Sequence, residues 1–454
     1  MATKTRRENQ RHLLEQVLNT NAAGIDIGAT EMVAAVPPGR DEESVRSFGT
    51  LTPDLHALRD WLLHCGITTV VMESTGVYWL PLFGILRKAK LEVLLVNAAQ
   101  VRHCPARKTD VQDAQWLMQL HTAGLLRGSF HPPEDIRRVR GLVRERGHLV
   151  EDASKQLQRM QKALTEMNVQ LHHVLSDLDG VSGLRMIDAI LAGEHDPRTL
   201  WNLRDRRCQT EEETAIKALT GQWDDDLIAQ LQRGYLTWKH LQVQIAEIDA
   251  RLEELFKNLH SEVDSRLGGG PPPSRRRRLK KGEMTCDVKA EARRLFGIDL
   301  SAIPGVSTNL LATLISEVGS ASTLLGNFAS EKHFASWLGL CPDNRKSGGK
   351  ILATKTRPVA NRLAKGLRLC AQSLWRCHSN IGDWSRRMKA RLGKAEGITA
   401  TAHRLCRIIY HLVAKQVDYD DNQIVNLSPK AKARRVANLM RHAEKLGLQL
   451  VVPN

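Results

Sequence analysis

The stretch Thr68-Thr69-Val70-Val71-Met72-Glu73-Ser74-Thr75-Gly76-Val77-Tyr78-Trp79 is a short β-branched, apolar run that stops on an acid. The run predicts a buried strand over 68–72, with Glu73 at its carboxyl end. Before it, Leu55–Cys65 has helical amphipathicity and Ser44–Leu51 has strand character. Earlier still, Gly24-Ile25-Asp26-Ile27-Gly28-Ala29-Thr30 leads into Glu31-Met32-Val33-Ala34-Ala35-Val36, the pattern of a hairpin with a buried first strand. After it come a helix over Leu80–Ala89, a second buried strand over Leu91–Val96 and a helix beginning near Asp110. Strands alternating with helices in this order predict a mixed α/β sheet. Residues 1–22 read as a polar helix in front of it.

Open α/β sheets collect ligands at the carboxyl ends of their strands, where Glu73 falls. Asp26 sits inside an apolar strand, which is costly unless the acid is paired or binds a metal. It lies beside Glu73 if the strand order follows the ribonuclease-H pattern. In Lys108-Thr109-Asp110-Val111-Gln112-Asp113-Ala114, Asp110 and Asp113 are three apart and share a helix face, about 5–6 Å apart, where like charges repel. A divalent cation would relieve that repulsion, and Mg²⁺ prefers carboxylate oxygens with water and phosphate. Four acids at one point suit two metals about 3.5–4 Å apart and in-line phosphodiester chemistry. Each acid also has a structural reading. Asp26 can serve a turn, Glu73 can accept backbone N–H groups, and Asp110 and Asp113 suit the positive end of a helix dipole. Tyr78 and Trp79 read as core aromatics.

Of the 454 residues, 42% are hydrophobic, enough for two to four domains of roughly 100–200 residues each. The net charge of +16 points to a polyanionic partner. The N-terminus is polar and basic, and no run of 18 apolar residues occurs. Nucleic acid therefore outranks a membrane, and a cytosolic location is expected. The eight cysteines contain no C-x-x-C pair, which argues against a zinc site or a disulfide framework.

Taken together, G-I-D-I-G, M-E-S-T-G-V-Y and K-T-D-V-Q-D-A resemble, in order and spacing, the RuvC-like DEDD domain of the insertion-sequence 110/1111 transposases. The resemblance covers about the first third of the chain. It implies an acidic catalytic set of Asp26, Glu73, Asp110 and Asp113 holding Mg²⁺. It also implies DNA substrates (element ends and target), a bridge RNA as guide, assembly as dimers or tetramers, and a bacterial, nucleoid-associated setting.

His131-Pro132-Pro133 closes this domain. A heptad seam follows at Val150, Ala153, Leu157, Met160, Leu164, Met167, Leu171 and Val174, and a second at Trp238, Leu241, Ile245, Ile248, Leu252, Leu255 and Leu259. Two such seams make an antiparallel hairpin within one chain, a dimer between chains, or both. The resemblance favours a coiled coil between subunits. Gly268-Gly269-Gly270-Pro271-Pro272-Pro273-Ser274 is a linker. It leads into Arg275, Arg276, Arg277, Arg278, Lys280 and Lys281, a run suited to salt-sensitive phosphate contact. The expected division is 1–130, a RuvC-like domain; 131–267, a coiled-coil segment; 268–295, a basic linker; 296–417, a helical C-terminal domain; and 418–454, a basic tail.

In the C-terminal domain, Ile303-Pro304-Gly305-Val306-Ser307 resembles the turn of a helix-hairpin-helix element, and it reads equally as an ordinary helix cap. Beyond Gly339 an exposed loop is expected to carry Arg345, Lys346, Ser347 and Lys350. The transposase resemblance makes Ser347 the nucleophile, with Arg345, Lys346 and Lys350 holding a phosphate. No base beside Ser347 is visible in the sequence. Lys355, Arg357, Arg362, Lys365 and Arg368 read as the basic face of a helix over 358–375, whose apolar side is Leu363, Leu367, Cys370 and Leu374.

The expectation is a DNA transposase that cuts and joins strands with an acidic metal centre and a serine. A hydrolytic junction nuclease, a kinase of the actin-like type (from Asp26-Ile27-Gly28-Ala29-Thr30) and a non-catalytic scaffold are the alternatives. The basic balance and the lack of an adenosine-binding glycine motif weigh against the kinase.

Overall fold

The computed structural model describes residues 17–73, 76–97, 110–259, 282–348, 350–357 and 359–424, with short pieces between 436 and 448. The side chains of Asp110, Arg345 and Lys346 are outside that description, as are all atoms of 260–281, which include Arg275, Arg276, Arg277, Arg278, Lys280 and Lys281. The chain forms two compact units, residues 1–131 and 132–454.

In the first unit, β1 (Ala22–Ile27) pairs antiparallel with β2 (Glu31–Ala35), and β2 with β3 (Val45–Gly49). After helix α1 (Thr52–His64), β4 (Thr69–Glu73) lies parallel to β1. Helix α2 (Trp79–Lys88) then leads to β5 (Glu92–Val96), parallel to β4. The order is β3-β2-β1-β4-β5. Ala23, Ile25, Ile27, Val70 and Met72 point to one face, where they pack against Leu58 and Leu62 of α1 and Leu82 and Leu86 of α2. The opposite face is covered by α3 (Asp110–Thr122), through Ala114 and Met118 against Val33 and Ala35, and Leu117 against Val71 and Val96. Burial on both faces explains why β1 and β4 are apolar almost throughout instead of alternating.

Two expectations fail here. Of the helix expected over 1–22, residues 1–16 lie outside the described residues, and 17–21 are not helical, because the amides of Leu18 and Asn19 both donate to Thr122 O at the end of α3 and Ala22 already begins β1. Tyr78 is not a core residue. It is 50% exposed, beside exposed Val77, while Trp79 is half-buried.

The second unit is built on two long helices, α4 (Glu134–Glu166) and α9 (Asp225–Asn258). Arg146 meets Asp249 and Met160 lies against Gly234, so position rises on one helix as it falls on the other and the pair is antiparallel. Both seams close within one chain. Ala153, Met160 and Leu164 are buried against Leu231, Trp238, Leu241 and Ile245. The seam expected between subunits is thus consumed inside the chain. It also breaks at Asn168, which takes a left-handed conformation (φ 57°), before α5 (Leu171–Val174) resumes it. Helices α6 (Val181–Leu191), α7 (Pro197–Asn202) and α8 (Glu212–Leu219) cap the hairpin through Ile187, Trp201 and Leu219.

The chain beyond Gly282 is folded, although linker was expected as far as 295. Met284, Cys286 and Val288 are buried, and α10 (Val288–Phe296) is a regular helix with Asp287 as its N-cap. It is followed by α11 (Thr308–Val318), α12 (Ala321–Asn327) and α13 (Glu331–Trp337). A hairpin of β6 (Arg345–Ser347) and β7 (Lys350–Ala353) stands where a loop was expected. Then come α14 (Arg362–Ser373), α15 (Asn380–Leu392), α16 (Lys394–Lys415) and α17 (Asp421–Ile424). Leu363, Leu367, Cys370 and Leu374 are buried, as their spacing predicts.

Candidate functional site

The acids of the first unit are placed by strand register. β1 and β4 run parallel with Gly24 opposite Val71 and Ile25 opposite Met72. The paired residues end there, and Asp26 and Glu73 come next in their strands, which run about 4.8 Å apart. Both acids are half-buried. Because side chains alternate along a strand, they lie on the Gly24/Val71 face, which α3 covers, and not on the face packed with Ile25 and Met72.

Helix α3 runs opposite to these strands. Near its C-terminus, His121 Nε2 is 2.9 Å from Thr69 Oγ1, at the start of β4. Further back, Ala114 and Met118 ride directly on Gly24, where a Cβ would overlap the helix backbone. The N-terminal turn of α3 therefore lies toward the carboxyl ends of β1 and β4. Asp113, half-buried, is in that turn, and Asp110 opens it. Glycine at 24 lets α3 sit low enough on the sheet for this. Among the described residues, no three His, Cys, Asp or Glu side chains are close enough together to hold a metal ion. The donor chemistry of Asp26, Glu73 and Asp113 is all carboxylate oxygen, which suits a hard divalent cation better than a thiophilic one.

In the second unit, Ser347 is the last residue of β6 and pairs with Lys350 across a two-residue turn. Gly348 in that turn has φ +53°, a conformation that favours glycine, and a Cβ there would meet nothing within 4 Å. The glycine is needed for the tight reversal, not for packing. Ser347 and Lys350 are both exposed, and cross-strand pairing sets their Cβ atoms about 5 Å apart. No described side chain hydrogen-bonds to Ser347 Oγ. Lys355 and Arg357 precede α14 instead of lying on it. Arg357 is engaged with Ser336, donating to its carbonyl and hydroxyl at 2.9 and 3.0 Å, which ties the segment to the end of α13. The turn before α11 behaves as a cap. Ser307 Oγ accepts from Leu310 N, and a Cβ on Gly305 would lie 3.0 Å from Cys370 O, so the close approach is to the protein itself.

Sequence reading missed the partners of α14. Arg362 Nη2 is 3.2 Å from His148 Nε2 on α4, and Arg144, one turn before His148, holds Glu317 of α11 with two nitrogens. The four-residue spacing of Arg144 and His148 was the only signal, and it is too common to stand out.

The first unit is thus a mixed sheet with Asp26 and Glu73 near the carboxyl ends of β1 and β4, in a chain of net charge +16. Residues 23–169 match the DEDD-domain model of the IS110 transposases, described as a transposase. Residues 299–385 match the model described as the transposase IS116/IS110/IS902 family. The chain belongs to the IS110 family of transposases, enzymes that cut and rejoin DNA. A comparison with curated proteins gives no match. Among the described residues no helix is long and apolar enough to cross a membrane.

Proposed function

We propose that the first unit is a RuvC-like domain in which Asp26, Glu73, Asp110 and Asp113 form the acidic centre, and that Ser347 is the nucleophile of strand exchange. The observation that supports the acidic centre is the register of β1 and β4: Asp26 and Glu73 follow the paired Ile25 and Met72, on the sheet face that α3 covers. The sheet order, with its antiparallel β1–β2–β3 and parallel β1–β4–β5, is that of the ribonuclease-H arrangement. Bound there, Mg²⁺ would supply Lewis-acid activation of phosphate oxygens. In the hairpin, Ser347 Oγ attacks a backbone phosphorus, its proton passes to a base, and the P–O bond to one flanking deoxyribose breaks with that oxygen taking a proton. A hydroxyl of the incoming strand then displaces serine. Lys350, with Arg345 and Lys346, stabilises the charge that grows on the phosphate oxygens. Lys355, Arg357 and Arg362, with the Arg275–Lys281 run, contact the nucleic-acid backbone.

The reading extends to a bridge RNA as guide, whose paired duplex would be gripped through backbone and shape. It extends also to a homodimer or homotetramer. With the seams closed within the chain, the assembly would use the outer face of α9, where Leu236 and Val243, seven apart, are more than half exposed.

The test is a strand-exchange assay resolved under denaturing conditions. Wild type should leave a protein–DNA adduct through a phosphoserine, and Ser347→Ala should lose both the adduct and the exchange. Asp113→Asn should lose metal-dependent cutting. Full exchange by Ser347→Ala would overturn the serine chemistry. It would favour hydrolysis by the acidic centre alone.

A further inference from the structure

The second unit contains a cleft of about 830 Å³, of whose lining the proposed function uses Arg362 alone. One wall is α4 from Val143 to Glu151, another is α11 from Asn309 to Glu317, and the third is α14 with the residues just before it, from Val359 to Ser373. Its volume lies in the range of sites that enclose a ligand, about 300–1,000 Å³. Four fixed cations line it, Arg144, Arg362, Lys365 and Arg368, against two carboxylates, Glu151 and Glu317.

The charges are not evenly satisfied. Glu317 is 5% exposed and is held by Arg144 and by Arg140, which also donates to the carbonyls of Ser316 and Glu317. That carboxylate is saturated and offers nothing to the other wall. Arg362, Lys365 and Arg368 stand three apart along α14, so each is a near neighbour of the next and their like charges repel. None of them is in an ion pair with a described carboxylate, and the one described partner of Arg362 is the imidazole of His148. A row of three cations in a concave site calls for an anion with a matching row of charges. No aromatic ring other than that imidazole lines the cleft, so it lacks the stacking platform that holds unpaired bases.

We propose that this cleft seats the phosphodiester backbone of a nucleic-acid duplex, read by Arg362, Lys365 and Arg368 through its phosphates and not its bases. The proposal rests on the nucleic-acid function argued above, and it makes α4 and α14 opposite banks of one backbone-binding site. Arg144 and Glu317 brace the first bank.

The experiment measures binding of the full chain to a labelled DNA duplex, and to the RNA duplex of the same sequence, over a series of salt concentrations. Replacing Arg362, Lys365 and Arg368 together with alanine should weaken binding at least about tenfold at low salt. It should also lower the slope of log Kd against log salt by roughly 2.7 on DNA, at about 0.9 per lost phosphate contact. The charge-conserving set Arg362→Lys, Lys365→Arg and Arg368→Lys should keep the wild-type slope. A slope change confined to DNA, confined to RNA or common to both supports the cleft and names its source of phosphates. Unchanged slopes on both duplexes in the alanine variant, with its urea midpoint as in wild type, overturn the proposal and leave the transposase reading standing. Equal loss in the charge-conserving set also overturns it, since geometry and not charge would then be at stake. A wild-type chain that binds neither duplex overturns both readings.

Discussion

Asp249→Ala tests how the second unit is held together. Arg146 and Asp249 are 4% and 1% exposed, deep between α4 and α9. The guanidinium donates from Nε and Nη2 to the carboxylate, and from Nη1 and Nη2 to the carbonyls of Gly282 and Glu283 at 3.1 and 3.0 Å. Asp249 Oδ2 also accepts from Thr285 N at 3.1 Å. The pair therefore clips the chain that re-enters at Gly282 onto the helical hairpin. Removing the carboxylate leaves a buried cation uncompensated, a loss of about 3–5 kcal/mol. In urea, followed by tryptophan fluorescence, that is a midpoint lower by roughly 1–2.5 M at an m-value of about 2–3 kcal/mol/M. Arg146→Met should lose at least as much, because it also strands the two carbonyls. The double variant Arg146→Met/Asp249→Leu should lose less than the sum of the singles by about 2 kcal/mol or more, since no charge is then left unpaired. Hydrogen exchange should rise over 282–296 before it rises in the β-sheet. An Asp249→Ala chain within about 1 kcal/mol of wild type would refute the reasoning.

Two further outcomes are expected. Gly24→Ala should lift α3 off β1, costing about 3 kcal/mol by overpacking and abolishing DNA cutting. Gly84→Ala in α2, where a Cβ meets nothing within 4 Å, should be neutral or slightly stabilising; melting curves and a cutting assay separate the two, and equal behaviour would sink the argument. Burial holds the pKa of His121 below its ordinary 6.5, with Glu92 pulling the other way. The folded state thus binds its proton less readily than the unfolded state. Its contribution is fully present above about pH 6.5 and is lost as the pH falls below it. The melting temperature of the first unit should fall between pH 7.5 and 5.5, and fall less in His121→Gln; an equal slope in the variant would be contrary.

What the sequence determined alone was local. The apolar runs at Ala22–Ile27 and Thr69–Glu73 and the helical periods of α1, α2, α3 and α14 gave elements close to those observed, because backbone preference and burial pattern are written residue by residue. The neighbourhood of Asp26 and Glu73 was legible too, since a parallel β1–β4 pair leaves few registers open to two strands of that length. Partner choice was not legible. Heptad spacing reports that Met160 and Leu241 are buried but not by which chain, and the antiparallel closure of α4 on α9 decided that. Basic residues that look alike in sequence diverge for the same reason. Arg357 is tied to Ser336, Arg144 is fixed on Glu317, and Arg362 faces a cleft whose far wall lies more than two hundred residues away in the chain. Tyr78 looked like core and is half exposed, beside exposed Val77. Burial pattern is a property of a segment, whereas which surface buries it depends on contacts between segments far apart in the chain, and those exist only in the folded molecule.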